Sequence, residues 1–122
     1  MDMKKLAIAH DGFRERLGAG LLADDIWGSD SLSLAGVNSQ PAAVALFGEI
    51  TTRIMRALSD SGFPSLGRYY LFELAEKKMV CVMNYKDYQW GCLFDMDKVN
   101  MGMLLAIAIP KAVADLQAAV DA

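Results

Sequence analysis

Cysteine, histidine and proline are scarce in this chain, with two, one and three residues respectively among 122. The cysteines, Cys81 and Cys92, lack the paired spacing and histidine company of a zinc site, so no metal is expected. The single histidine, His10, stands beside Asp11, and a neighbouring pair of this kind marks a helix-surface contact far more often than a catalytic dyad. No catalytic residue is expected. A basic excess is missing too: 12 lysines and arginines against 15 acids give a net charge of -3 and a pI of about 5.0. That leaves no field for neutralising phosphates or anionic lipid, which argues against nucleic acid as a partner. Gly18-Ala19-Gly20 and the stretch from Gly62 to Gly67 lack the lysine and hydroxyl that follow the glycines of a nucleotide cradle, and no cofactor is expected. Long hydrophobic runs are absent: Met101 to Pro110 falls short of the roughly 20 residues that cross a bilayer. Met1 to Ala9 holds too few apolar residues for a signal-peptide core. A cytoplasmic protein without membrane insertion is the expectation.

What the chain does have is apolar material, 54% of its residues against 22% charged, enough to offset the conformational entropy lost on folding. Its length suits one domain, residues 1–122, around one core. Leu6, Ile8, Ala9, Phe13 and Leu17 give the stretch from Met3 to Leu17 a helical stripe. Leu22 to Trp27 and Leu32 to Val37 read as two strands of a hairpin turning through Gly28-Ser29-Asp30-Ser31. The clearest helix opens at Ser39-Gln40-Pro41, where proline suits a first-turn position. It runs to about Ser61, with Ala43, Phe47, Ile50, Ile54 and Leu58 as the stripe facing a sheet. A second stripe of small residues, Ala45, Gly48, Thr52 and Ser59, lies well round the same helix. It is either a helix-pairing surface, where small residues allow close approach, or a solvated face with a tolerated glycine.

Three more strands follow, Arg68 to Leu74, Lys78 to Asn84 and Tyr88 to Phe94, with connections short enough to force an antiparallel meander. The middle one is apolar at every position from Met79 to Met83, so it is buried on both faces and the sheet carries helices on each side. A hairpin turning at Lys86-Asp87 sets Cys81 directly opposite Cys92, as buried structural thiols more readily than as a redox pair. The last element is one helix kinked at Pro110 or a strand followed by a helix. Met101, Leu105, Ala108, Ile109, Ala112, Leu116 and Val120 keep one stripe unbroken across the proline and favour the kink.

Several other residues admit two readings. Asp24 and Asp25 are adjacent on a strand, point to opposite faces and cannot converge on a metal, so they read as strand-edge solvation. Asp95-Met96-Asp97 reads as a turn and a cap for the following helix dipole. Trp27 and Trp90 fill a core sooner than they anchor a partner.

The order of elements, the hairpin Asp25-Ile26-Trp27 with Leu32-Ser33-Leu34-Ala35-Gly36, the central amphipathic helix, and a strand ending at Asp95 before Asn100-Met101-Gly102 together resemble the roadblock/dynein light chain family over nearly the whole chain. Tyr88-Gln89-Trp90-Gly91 is similar to a bacterial subgroup. Two departures stand out: Ser31 where the family often has glycine after the turn aspartate, and Pro110 in a helix that is usually continuous. The resemblance implies an α/β (α+β) sandwich with a five-stranded antiparallel sheet of order 2-1-5-4-3, one helix on one face and two on the other. It also implies dimerisation through the third strands and the central helices. As an exposed edge the third strand would be an aggregation hazard that pairing removes. A homodimer through Arg68, Tyr69, Tyr70, Leu71, Phe72 and Glu73 of that strand, with Ala45, Gly48 and Thr52 of the helix, is therefore expected.

Members of the family act as scaffolds or regulators of small Ras-like GTPases, or as adaptor subunits, without bond chemistry of their own. A non-enzymatic regulatory or scaffolding homodimer is the implied role. The alternatives are a small-molecule sensor, which requires a sizeable cavity with convergent polar groups between sheet and helices, and a structural assembly subunit.

Overall fold

The computed structural model describes residues 1–122. Helix α1 spans Met3–Leu17, started by Asp2, whose carboxylate accepts from the backbone N–H groups of Lys4 and Lys5 at 3.0 and 3.1 Å. Its buried face is Leu6, Ala9, His10, Phe13 and Leu17. Ile8, expected on that face, is 66% exposed, because it lies more than a third of a turn from the line through Leu6, Ala9 and Phe13. Strands β1 (Leu21–Trp27) and β2 (Ser33–Val37) form the first hairpin, and helix α2 runs Pro41–Asp60 with proline in its first turn. Strands β3 (Tyr69–Leu74), β4 (Lys78–Tyr85) and β5 (Tyr88–Asp95) form the meander.

The five strands pair antiparallel in the order β2-β1-β5-β4-β3. Alternation along each strand divides the side chains between two layers. Ile26, Cys81, Met83, Trp90, Cys92 and Phe94 pack in the larger core with Leu6 and Phe13 of α1 and with the C-terminal helix. Trp27, Val80, Gly91 and Leu93 line the space beneath α2 on the other face. Strand β4 is buried on both sides, from Val80 to Met83. Cys81 stands opposite Cys92, as the hairpin arithmetic requires, and both are free thiols.

The C-terminal helix, Met101–Asp121, is continuous through Pro110. Asn100 caps it, accepting from the Met103 N–H at 2.9 Å. The expected cap, Asp95-Met96-Asp97, is only a turn, in which Asp95 accepts from the Asp97 N–H. The helix passes the proline by widening: Leu104–Ala108 is a π turn, in which the Ile109 N–H reaches back to the Leu104 carbonyl. The extra residue per turn shifts the phase of the stripe. Leu104 is buried in place of Leu105, and Met101 is exposed, while Ala108, Ile109, Ala112 and Leu116 are buried as expected. By length and composition this helix could cross a membrane, yet its inner face is taken up by the sheet and α1. Its end is tied to the β4–β5 turn, where Tyr85 and Lys86 donate to Asp121 at 2.5 and 2.6 Å. The Lys86 ammonium and the Tyr85 hydroxyl hold the Asp121 carboxyl below its ordinary range.

Two outcomes follow. Leu104→Ala is expected to cost about 2–5 kcal/mol as a buried truncation, and Leu105→Ala under about 1 kcal/mol, in urea unfolding. Equal costs would mean that the stripe has the phase of a straight helix. Burial pushes the Cys81 thiol up to about 12 and Cys92 well above its usual value. The native state therefore keeps protons that the unfolded thiols release, so this contribution to stability is complete at neutral pH and declines as pH rises from about 9 toward 12. A thiol reagent at mildly alkaline pH should label neither cysteine until denaturant is added.

Candidate functional site

The polar chemistry inside the fold begins with the two adjacent aspartates of β1. Neither is a solvated strand edge: Asp24 and Asp25 are both buried, at 3% and 6% exposure. Asp24 shares its face with Ile26 and enters the larger core. There His10 Nε2 lies 2.9 Å from both of its carboxylate oxygens, Trp90 Nε1 donates at 3.0 Å and the Val37 N–H donates at 2.9 Å. His10 is thus a buried partner of Asp24 and not a surface contact of Asp11. One carboxylate joins α1, β2 and β5, and a buried carboxylate with several donors holds together what an apolar side chain would only touch.

Asp25 points to the other face. It accepts from Ser33 Oγ at 2.7 Å, Ser39 Oγ at 2.6 Å and the Gln40 N–H at 3.1 Å. Gln40 is the N-cap of α2 and makes no side-chain cap itself, so Asp25 supplies both the acceptor and the negative charge that a helix start favours. Gly36 stands opposite Asp25, and a Cβ there would come within 2.7 Å of its carboxylate and 2.5 Å of the Asp24 carbonyl. The sequence carries a signal for this arrangement. Both acids stand between Ala23 and Ile26-Trp27 in a strand whose neighbours are apolar, and the Ala35-Gly36 pair marks where a backbone approaches closely.

The residues expected to form a dimer surface fall into two groups. Tyr69, Tyr70, Leu71 and Phe72 lie half-buried on β3, with Arg68 and Glu73 exposed at its ends. Strand β3 is the outermost strand of the sheet and pairs only with β4. Its α2-facing side is an aromatic row: Phe72 lies 5.9 Å from Phe47 and 6.3 Å from Tyr70, centroid to centroid. The Tyr70 hydroxyl and Thr51 Oγ1 are 2.8 Å apart, and burial pushes the Tyr70 phenol up. On α2 the buried line is Val44 and Thr51. Ala43, Phe47, Ile50 and Ile54 form the flank toward β3. Ala45, Gly48 and Thr52 form the opposite flank, with Gly48 beside Trp27 of β1. Phe47 thus meets Phe72 of β3, while Gly48 and Thr52 border a cleft whose rim includes Arg68 at the start of the same strand.

Two hollows separate α2 from the sheet. Under its first half is an apolar cavity of about 230 Å³, lined by Ala43, Val44, Phe47, Trp27, Val80 and Leu93 among others. Small-molecule sites are commonly larger, from about 300 Å³ upward. Under its second half is a polar cleft of about 850 Å³, bounded by Gly48, Thr51 and Thr52 above and by the ends of β1, β4 and β5 below. No three His, Cys, Asp or Glu side chains converge as metal ligands.

Removing the buried Asp24 carboxylate strands His10, the Trp90 indole and the Val37 N–H together. Asp24→Ala is expected to cost about 3–5 kcal/mol in chemical denaturation, and a loss under about 1 kcal/mol would mean that the cluster is not a structural tie. Gly36→Ala should cost about 1–3 kcal/mol for crowding the Asp25 carboxylate.

No protein-family model and no curated protein matches the sequence. Solved structures do. MglB of Myxococcus xanthus superimposes with a TM-score of 0.81 at 13% identity, over 98% of this chain and 90% of that one. The gliding protein MglB of Thermus thermophilus gives 0.77 at 12% identity over 98% and 91%. A Roadblock/LC7 domain from Streptomyces avermitilis gives 0.69 at 12% identity over 92% and 94%. With its strand order and its helices divided between the two faces of the sheet, the chain is by fold a roadblock-like domain.

Proposed function

We propose that this protein is a non-enzymatic homodimeric module that regulates or scaffolds a small Ras-like GTPase in the cytoplasm. The observation that carries the reading is the uncovered side of β3: a proline-free strand with Tyr69, Tyr70, Leu71 and Phe72 in sequence, unpaired along its outer edge. Such an edge templates strand addition, and a second copy satisfies it without exposing a new one. Both copies must present α2 on the same face, so residues of the same parity oppose one another. A two-fold axis at Leu71 sets Tyr70 against Phe72 of the copy, an aromatic cross-strand pair.

The helix joins this interface through the flank that leans toward β3, namely Ile50 and Ile54. The GTPase assignment rests on the resemblance of the ordered sequence features to the roadblock/dynein light chain family, supported by the fold shared with two MglB proteins, one of them described as a gliding protein. A further neighbour is an MglB with a tetrameric arrangement, at a TM-score of 0.74 and 12% identity, which favours an assembling module.

Sedimentation at micromolar concentration should give about twice the 13.3 kDa chain mass, and Ile54→Asp should weaken the dimer about tenfold or more. The tagged protein should retain a small Ras-like GTPase from native extract, identified by mass spectrometry, with retention that differs between added GTP and GDP. A monomer that retains no GTPase would sink the proposal.

A further inference from the structure

Four buried side-chain atoms have no hydrogen-bond partner within the chain: Trp27 Nε1, both Asn84 Nδ2 and Oδ1, and Gln89 Oε1. All three residues line the polar cleft under the second half of α2. They are also neighbours in the sheet. Trp27 pairs with Gln89 across β1 and β5, and Gln89 pairs with Asn84 across β5 and β4, so the three form one row on the face turned to α2. An unpaired buried polar group costs about 1–3 kcal/mol, and native folds leave few of them. Here all of those in the chain converge on one hollow. Trp27 is 2% exposed, so its indole N–H has no route to bulk solvent except through that hollow.

The roof of the cleft offers the row no hydrogen-bonding partner. Gly48 lies over the indole, and a Cβ there would stand 3.7 Å from Trp27 Nε1. Thr51 and Thr52 direct their own hydroxyl protons back to the carbonyls of Phe47 and Gly48, so neither donates to the row. This gives the small-residue stripe a role away from any helix pairing. The charged rim is balanced, with Glu49 and Asp87 against Arg68 and Lys86. Glu49 is further engaged by Arg53 and Lys86 by Asp121. Nothing in the cleft selects for net charge.

We infer that the row Trp27–Gln89–Asn84 binds a small neutral molecule through an amide-type edge, a carbonyl acceptor beside an N–H donor. The indole N–H and an Asn84 amide hydrogen meet the carbonyl, and the side-chain carbonyl of Gln89 or Asn84 meets the N–H. Because neither polar atom of Asn84 is committed elsewhere, its amide can turn to match either order of donor and acceptor. The volume of about 850 Å³ accommodates a molecule with one such edge and further bulk extending toward the rim. This site does not depend on the GTPase reading.

The test uses the isotope-labelled full chain and two probes that carry the edge in different frames, uracil with a ring amide and N-acetylglycinamide with an open one. The two indole N–H signals make the measurement internally controlled, because Trp90 is already bonded to Asp24. Saturable movement of the Trp27 indole signal with either probe at millimolar concentration, while the Trp90 signal stays in place, is the expected result, and the preferred probe distinguishes a nucleobase-like ligand from a peptide-like one. Gly48→Ala should raise the melting temperature, since alanine improves the helix and meets only an ordinary contact. It should also weaken the probe about tenfold or more by covering the indole. Gln89→Leu should weaken it comparably while the remaining backbone signals hold their places. No saturable shift with either probe, or an indole N–H that exchanges with water alone, overturns the inference. So does a Trp27 signal that moves on dilution and not with a probe, which would mean that a second copy fills the cleft.

Discussion

Everything in this fold hangs from one carboxylate buried where water cannot reach it. Taking Asp24 out of solvent costs several kcal/mol, and the cost is offset only while His10, Trp90 and the Val37 N–H all stay in place. Those three donors belong to the first helix, to the central strand β5 and to the edge strand β2, elements that share no sequence neighbourhood. Apolar packing would let α1 slide or rotate over the sheet at modest expense. A charge with fixed donors does not, so Asp24 sets where α1 sits, and α1 in turn sets the space left for the C-terminal helix.

The residue beside it does the same for the opposite layer. Because successive strand residues face opposite ways, Asp25 reaches the start of α2 as surely as Asp24 reaches α1. A slip of β1 by a single residue would turn each acid into the wrong layer and leave both without donors. Two consecutive aspartates thereby choose the register for both sides of the sheet. The two layers nonetheless differ in how far they close. The α1 side is filled by large side chains such as Trp90, Phe94, Leu104 and Leu116, all fully buried. On the α2 side only Val44 and Thr51 of a 20-residue helix are buried, and hollows remain beneath it. Close packing is concentrated on one face, and open volume on the other.

The first hairpin, the meander and the pairing of Cys81 with Cys92 were legible in the chain, because periodicity, short connections and turn residues act locally and leave their mark in adjacent positions; the strand order, which sets β1 beside β5, came only with the family resemblance. The buried polar contacts were not. His10 and Asp24 are separated by 14 residues, and Trp90 and Asp24 by 66. Nothing in linear order says that an imidazole on one element meets a carboxylate on another, and beside Asp11 the histidine has the look of a surface residue. Ile8 and Leu105 were misjudged for a related reason: a stripe of apolar residues tells its approximate direction, while the exact facing depends on what the helix docks against and on whether its pitch is uniform. For the small stripe on α2 the sequence leaves a pairing surface and a solvated face both open, and only the sheet beneath it reveals which way the stripe looks.

The widened turn before Pro110 divides the C-terminal helix mechanically. Ile109 is bonded to Leu104, and proline has no N–H to give, so the carbonyls of Leu105 and Ala106 lose the donors that a uniform helix would supply, on residues that are exposed. Beyond that point the segment to Asp121 is fastened by Ile109, Ala112, Leu116 and Ala119, whereas the turn ahead of it is fastened chiefly by Leu104. The leading turn thus depends on one large side chain and the Asn100 cap, where the rest of the helix has a whole row of contacts.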